Sequence, residues 1–265
     1  METLTLPIYQ ADAFTNTLFK GNPAAVVPLE TWLPKEKMLA IAAENNLAET
    51  AFFVKKGNDF DLKWFTPAVE IDLCGHATLA SARIIYDFLG YEEDEIRFHS
   101  NSGILTVRRA GNRLVLNFPA NPPQVTSIPE GLLESLGIVM PIEVFKARTN
   151  DYMVVVESEE KVASLHPDHR SLKRVGARGV IVTAVGKNAG FVSRFFAPGS
   201  GIDEDPVTGS AHTVLAPYWA EKLGKTDLFA RQISPRGGDL WLTLLGDRVE
   251  IAGEAVVYLK GEIYV

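Results

Sequence analysis

Cys74-Gly75-His76-Ala77 opens an apolar run that closes at Leu89-Gly90, and Thr208-Gly209-Ser210-Ala211 opens another that closes at Leu223-Gly224. Fifteen positions separate the opening and closing glycine in each copy (75 to 90, 209 to 224), and the copies stand 134 apart. The offset extends past the runs: Ser100 and Gly103 map onto Ser234 and Gly237, and the turn Gly111-Asn112-Arg113 is answered one position later by Gly246-Asp247-Arg248. A two-unit repeat of this period is too long for a solenoid and reads as two related lobes. The expected active-site cleft lies between such lobes, where small-molecule sites are common.

Both runs are apolar nearly all round, with Ala77, Leu79, Ala80, Ala82, Ile84 and Ile85 in one and Ala211, Val214, Leu215, Ala216, Tyr218 and Trp219 in the other. Helices with so little polar face are buried. Around them lie short segments rich in Val, Ile, Phe and Tyr with Gly, Pro or Asn boundaries, the usual strand signals. A further helix starts at Pro34 and stops at Asn45-Asn46, where asparagine tolerates the left-handed cap conformation. The expectation is an α+β fold, two pseudo-symmetric lobes each with a barrel-like sheet around a central helix. Three prolines within 119–123 oppose helix and interior strand and mark a linker, giving lobes 1–118 and 124–265, with the terminal run after Gly253 free to pair with either.

The chain of 265 residues has a net charge of -7 and a pI near 5.3. That balance argues against a nucleic-acid or anionic-membrane surface, which needs clustered Lys and Arg. Met1-Glu2-Thr3-Leu4-Thr5-Leu6-Pro7 shows no basic region followed by a long apolar run, and no stretch approaches 18 apolar residues, so a cytoplasmic protein is expected. The single cysteine, Cys74, excludes an intrachain disulfide and any zinc site built from several thiolates.

Gly75 and His76, like Gly209 and Ser210, sit at helix starts, whose first-turn amides lack intrahelical partners and combine with the dipole to attract anions. Two such starts would hold a carboxylate without a lysine or arginine. The plainer alternative is tight packing by Gly and capping by Ser or His. Glu49 is a lone carboxylate among apolar residues where a helix ends and a strand begins. It reads as a general acid/base if its surroundings are dry, since desolvation favours the protonated form, or else as a solvated edge-strand glutamate. Asp205, just before Pro206, is placed to bond backbone amides or a substrate amine or hydroxyl, or is an ordinary turn acid. Cys74 reads as a thiol whose pKa the helix dipole lowers, or as a buried structural cysteine. His166-Pro167-Asp168-His169 reads as a surface loop, Glu92-Glu93-Asp94-Glu95 as a solvated acidic turn, and Gly199-Ser200-Gly201 is too short for a phosphate-binding fingerprint.

Asp12-Ala13-Phe14, Gly21-Asn22-Pro23-Ala24, Asn46-Leu47-Ala48-Glu49-Thr50-Ala51-Phe52, Cys74-Gly75-His76-Ala77 and Glu204-Asp205-Pro206-Val207-Thr208-Gly209-Ser210-Ala211 together resemble the PhzF-like isomerases of phenazine biosynthesis. The resemblance runs in the family's order over almost the whole chain. It implies the diaminopimelate epimerase-like fold with the active site between two lobes. It also implies Glu49 as the general acid/base, substrate contacts from Gly75, His76, Asp205, Gly209 and Ser210, no cofactor or metal, and a homodimer. The related epimerases and racemases carry a thiol at each helix start, whereas this chain keeps one only at Cys74 and has Asp205-Pro206 ahead of the second.

The expected activity is therefore a cofactor-independent isomerisation of a small carboxylate, in which Glu49 removes a proton from one carbon and returns it to another while His76 and Asp205 orient the substrate. The rivals are a one-thiol epimerase using Cys74 and Glu49, and a metabolite-binding or interaction protein that keeps the fold without turnover. The sequence does not name the substrate.

Overall fold

The computed structural model describes residues 4–265, so Met1-Glu2-Thr3 of the terminal segment read above lie outside the described residues. Two compact units emerge. One runs up to Asn117 and adds Ala252–Val265, and the other is Phe118–Ile251. In chain order the first contains β1 (Thr5–Ala13), β2 (Asn22–Leu29), α1 (Lys35–Asn45), β3 (Glu49–Lys56), β4 (Asp59–Phe65), β5 (Glu70–Ile71), α2 (Gly75–Phe88), β6 (Glu95–Ser100), β7 (Gly103–Ala110) and β8 (Arg113–Pro119). The second contains β9 (Gln124–Val125), α3 (Leu132–Leu136), β10 (Glu143–Lys146), β11 (Asp151–Val155), α4 (Glu159–Ala163), α5 (His169–Arg174), β12 (Gly179–Val185) and β13 (Phe191–Ala197). It continues through β14 (Ile202–Asp205), α6 (Gly209–Leu223), β15 (Asp227–Gln232), β16 (Gly238–Leu245) and β17 (Arg248–Gly253).

The last strand, β18 (Ala255–Tyr264), pairs antiparallel with β1 from Thr5↔Tyr264 to Ala13↔Ala255, with a register shift at Gln10/Ala11. The terminal run, left free by the sequence to pair with either lobe, joins the first unit through the ladder with β1. That run is a single strand.

Each unit repeats one topology. In the first, β2 pairs parallel with β3, β3 antiparallel with β4, β4 antiparallel with β5 and parallel with β6, and β6 antiparallel with β7. In the second, β11, β12, β13, β14, β15 and β16 follow the same sequence of pairings. A parallel pair requires a crossover, and in each unit the crossover back to the middle strand is the apolar helix, α2 between β5 and β6 and α6 between β14 and β15. The sequence repeat is thus a repeat of a βαβ crossover with its flanking hairpins.

Burial accounts for the composition of these helices. Ala77, Leu79, Ala80, Ala82, Ile84 and Ile85 of α2 have no exposed surface, and α2 packs on β1, β2, β3 and β18. Each large side chain so enclosed contributes about 1.5–3 kcal/mol relative to exposure. The polar members of α2 satisfy themselves against the preceding turn, Thr78 Oγ1 donating to Cys74 O at 2.6 Å and Ser81 Oγ to Ala77 O at 2.8 Å. α6 carries an internal proline, Pro217, which cannot donate to Thr213 O. Asn121 N donates to that carbonyl instead, at 3.0 Å. The expected linker residue is therefore a structural partner of α6. The expected ends of α1 hold: Pro34 precedes it, and Asn46 closes it at φ 49 with its N–H on Ala42 O.

Some elements were hidden in the sequence. Glu95, read as part of an acidic turn, opens β6, where Ile96 and Phe98 point inward between exposed Glu95 and Arg97. The 166–169 segment is not a plain loop: Asp168 caps α5, its carboxylate accepting from Ser171 N at 3.1 Å.

His212 sits fully enclosed in α6, its Nδ1 2.8 Å from Thr208 O and its ring stacked on Phe191. Burial pushes its pKa down from 6.5 to about 4. Between those values the unfolded chain binds a proton that the folded chain refuses. The stabilisation from neutral His212 is therefore complete above pH 6.5 and is lost as pH falls toward 4, by roughly 3 kcal/mol at about 1.4 kcal/mol per unit. Urea unfolding followed from pH 7 to pH 4 should show the gap in stability between wild type and His212→Gln shrinking across that window; a constant gap would contradict the assignment.

Candidate active site

The start of α2 gathers a polar cluster in the first unit. Cys74 is the residue before the helix and His76 its second residue, so both side chains lie at the helix entry. Glu49 opens β3, and its register opposite Ala24 of β2 places it two residues along from Asn22. Gly21 makes that approach possible: at φ +65 it lies where a Cβ would stand 2.2 Å from Ala13 O.

His76 is the hub. Its Nε2 lies 3.0 Å from Glu49 Oε2, with the two side chains 7% and 16% exposed. Its Nδ1 lies 3.1 Å from Asn22 Nδ2, and Cys74 Sγ stands 3.5 Å from Nδ1 and 3.9 Å from Nε2. The Asn22 amide serves either form of the ring, its nitrogen donating to a bare Nδ1 or, turned over, its oxygen accepting from Nδ1–H. Glu49 Oε2 is enclosed yet makes no aligned hydrogen bond to any described group.

Burial pushes the Cys74 thiol up, the Glu49 charge adds to that, and His76 only partly opposes it. Of the two readings of Cys74, desolvation favours the buried cysteine over the lowered thiol. For His76 burial disfavours the charged ring, but the negative charge of Cys74 and Glu49 outweighs burial and holds the imidazole well above its ordinary value. The protonation of Cys74 and His76 is therefore coupled, each set by the charge on the other and on Glu49.

The start of α6 in the second unit is built differently. Asp205 ends β14 and accepts from Thr208 Oγ1 at 2.5 Å, so the residue before the helix spends its hydroxyl on Asp205. Gln232 Oε1 accepts from Thr208 N at 2.8 Å, and Gln232 Nε2 donates to Asp205 O at 2.7 Å. Ser210 Oγ accepts from Arg178 at 3.2 Å, and Arg178 is ion-paired to buried Asp151. Neither Cys74 nor Thr208 closes its helix with a side-chain hydrogen bond, which leaves the first turns uncapped from that side and receptive to an anion.

Of the residues expected from sequence, Glu49, Cys74, Gly75 and His76 come together at the α2 start, and Asp205, Gly209 and Ser210 at the α6 start. Sequence reasoning missed Asn22, Gln232 and Arg178. Asn22 stood inside a quoted motif without a role, whereas Gln232 and Arg178 lie in strand and loop segments with nothing to distinguish them.

With this geometry in hand, similarity to known proteins is informative. The family model described as phenazine biosynthesis-like protein matches residues 11–261. An uncharacterized isomerase of Pseudomonas aeruginosa is 51% identical over 261 residues, covering 98% of this chain and 100% of the relative. Another from Halalkalibacterium halodurans is 45% identical over 264 residues, covering 98% and 99%. A crystal structure of a PhzF-family phenazine biosynthesis protein from Enterococcus faecalis superimposes with a TM-score of 0.95 at 46% identity, over 99% of this chain and 100% of that one. A hydroxyproline epimerase from Agrobacterium vitis, with bound trans-4-hydroxy-L-proline, shares the fold at a TM-score of 0.61 and 10% identity, over 98% and 93%. The fold is diaminopimelate epimerase-like, as expected.

Fully buried Gln232 holds both Thr208 N–H and Asp205 C=O. Gln232→Leu strands both, and each buried unsatisfied group costs about 1–3 kcal/mol. Urea denaturation should register a loss of about 2–4 kcal/mol; a neutral substitution would mean the α6 entry is not organised by this side chain.

Proposed function

The chain belongs to the phenazine biosynthesis-like (PhzC-PhzF) family and is an isomerase, and from that premise we propose that it moves a proton between carbons of a small carboxylate without a cofactor, with Glu49 as the base. The observation that carries this reading is the contact of 3.0 Å between Glu49 Oε2 and His76 Nε2 at the uncapped start of α2. A carboxylate substrate bound near a helix start has its negative charge met by first-turn amides, which lowers the cost of forming a carbanion beside it. Glu49 then takes the proton, and the imidazole beside it steadies the charge that builds and returns on the carboxyl group. In the first unit His76 orients the substrate and Gly75 and Cys74 line it; in the second, Asp205, Gly209 and Ser210 offer the corresponding groups at the start of α6. The protein acts as a homodimer in the cytoplasm on this reading, by analogy with the family.

Cys74 supports one base over two. Two proton carriers on opposite faces of one carbon stand about 6–7 Å apart, at about 3–3.5 Å on each side. The donor atoms of Glu49 and Cys74 lie within 4.8 Å of each other, and burial pushes the thiol pKa up. That arrangement disfavours an epimerase using this pair.

Incubating the protein with a pool of small carboxylates in D₂O, and reading deuterium incorporation by mass spectrometry, tests the proposal. Wild type should label one or more members of the pool, and Glu49→Gln should cut the rate by about 10²- to 10⁴-fold with its circular dichroism unchanged. Labelling by Glu49→Gln at the wild-type rate would remove Glu49 as the base. A pool containing the dihydro-hydroxyanthranilate precursor that stays unlabelled by wild type would favour a binding protein.

A further inference from the structure

The last strand gives the first unit an open edge. Among the described residues, β1 and α2 are the elements that pack along β18, β1 as its ladder partner. Tyr258, Leu259 and Tyr264 are 49%, 40% and 70% exposed, and Lys260, Gly261 and Glu262 between them are exposed as well. A Cβ built at Gly261 would meet only Leu259 Cδ2, at 3.9 Å, so the space beside the strand is open. An exposed edge of this length is a template for pairing with another strand.

The ladder with β1 fixes which backbone groups face outward. Leu4 and Val265 exchange both hydrogen bonds, each at 2.9 Å, so Val265 turns its N–H and C=O toward β1. Alternation along the antiparallel ladder turns Ile263, Gly261 and Leu259 the same way, and Lys260, Glu262 and Tyr264 toward the open edge. Around Gly261 the sequence mirrors itself: Lys260 against Glu262, Leu259 against Ile263, Tyr258 against Tyr264. A two-fold axis at Gly261 therefore sets each lysine opposite a glutamate of the other copy. Moving the axis one residue, to Lys260 or Glu262, sets like charges opposite each other, which is destabilising. Charges on an edge strand ordinarily repel other strands; here their order selects a second copy of this one. Leu259, Gly261 and Ile263 also line a groove with Ile8 and Leu47, which Leu259 and Ile263 of the partner subunit would cover.

We propose that β18 is the homodimer interface: two copies pair antiparallel, edge to edge, about an axis at Gly261. Lys260 exchanges backbone hydrogen bonds with Glu262 of the partner subunit, and their side chains meet as opposite charges on one face of the joined sheet. The contact is isologous and uses the open edge of both copies, so it closes at two. The inference rests on the homodimer of the proposed function, to which it gives a face, and not on its chemistry.

Analytical ultracentrifugation of the full-length chain tests the interface, with Gly261→Cys as a crosslinking probe. Wild type should sediment as a dimer. Lys260→Glu and Glu262→Lys each set like charges opposite one another at two symmetric places, and each should weaken the dimer by at least ~10-fold with circular dichroism unchanged. The double exchange Lys260→Glu/Glu262→Lys should restore it. Facing Cα atoms in a pair of the kind made at Gly261 stand about 4.5 Å apart, within disulfide reach. Oxidised glutathione should therefore join two chains of Gly261→Cys, the native Cys74 being buried. A monomeric wild type would overturn both the interface and the homodimer of the proposed function. A wild-type dimer that both single variants keep at full strength, or that Gly261→Cys fails to crosslink, would overturn the interface alone. A double exchange that stays as weak as the single variants would overturn the axis at Gly261.

Discussion

The contact between Glu49 and His76 is the interaction on which the proposed chemistry depends, and much of the surrounding fold serves to hold it. His76 is fixed by its place in the first turn of α2, and α2 is fixed by the closed packing of Leu79, Ile84 and Ile85. Glu49 is fixed by the parallel register of β2 and β3. The turn at Gly21 brings Asn22 to the other side of the ring. A carboxylate and an imidazole brought this close inside a protein attract more strongly than in water. The helix start beside them is left without a side-chain cap.

The two units solve one structural problem with different residues. Thr78 and His212 are related by the same offset of 134, and both bond the carbonyl of the residue that precedes the helix. The bond is thus conserved between the copies while its donor changes from a hydroxyl to an imidazole. At the helix entries themselves the copies diverge further. Cys74 turns its thiol toward His76, whereas Thr208 gives its hydroxyl to Asp205 and is held by Gln232. One copy became a cluster of groups that carry protons and the other a rigid net of hydrogen bonds. A duplicated frame leaves room for this, because α2 and α6 are held by apolar burial and not by the polar groups at their starts.

The fold was legible because its deciding features are local. Helices apolar on all sides, closed by Gly90 and Gly224, announce burial, and their recurrence at one offset announces two units. Gly224 takes the left-handed conformation that ends α6, and α2 runs out at Leu89 just before Gly90. The partner of the last strand was not legible, since pairing of residues 5 and 264 is a matter of topology. Strands such as β6 escaped notice because an acidic start masked a short alternation. In the site, Glu49 and His76 were legible through the resemblance and through their setting at element boundaries. Asn22 and Gln232 were not, because an amide becomes meaningful only once the group it bonds is known. Of the two readings of Cys74, the buried cysteine fits the structure and the lowered thiol does not, because burial raises its pKa.

The coupling of Glu49 to His76 can be measured without knowing the substrate. Titrating ¹⁵N-labelled histidine in chelator-treated protein, in wild type and in Glu49→Gln, reads the protonation of the His76 ring directly by nuclear magnetic resonance. The account predicts that His76 holds its proton to a pH well above that of an ordinary imidazole in wild type, and releases it at distinctly lower pH once the Glu49 charge is removed. A His76 that titrates identically in both proteins would mean that the two groups do not act on each other, and the proposed chemistry would lose its foundation.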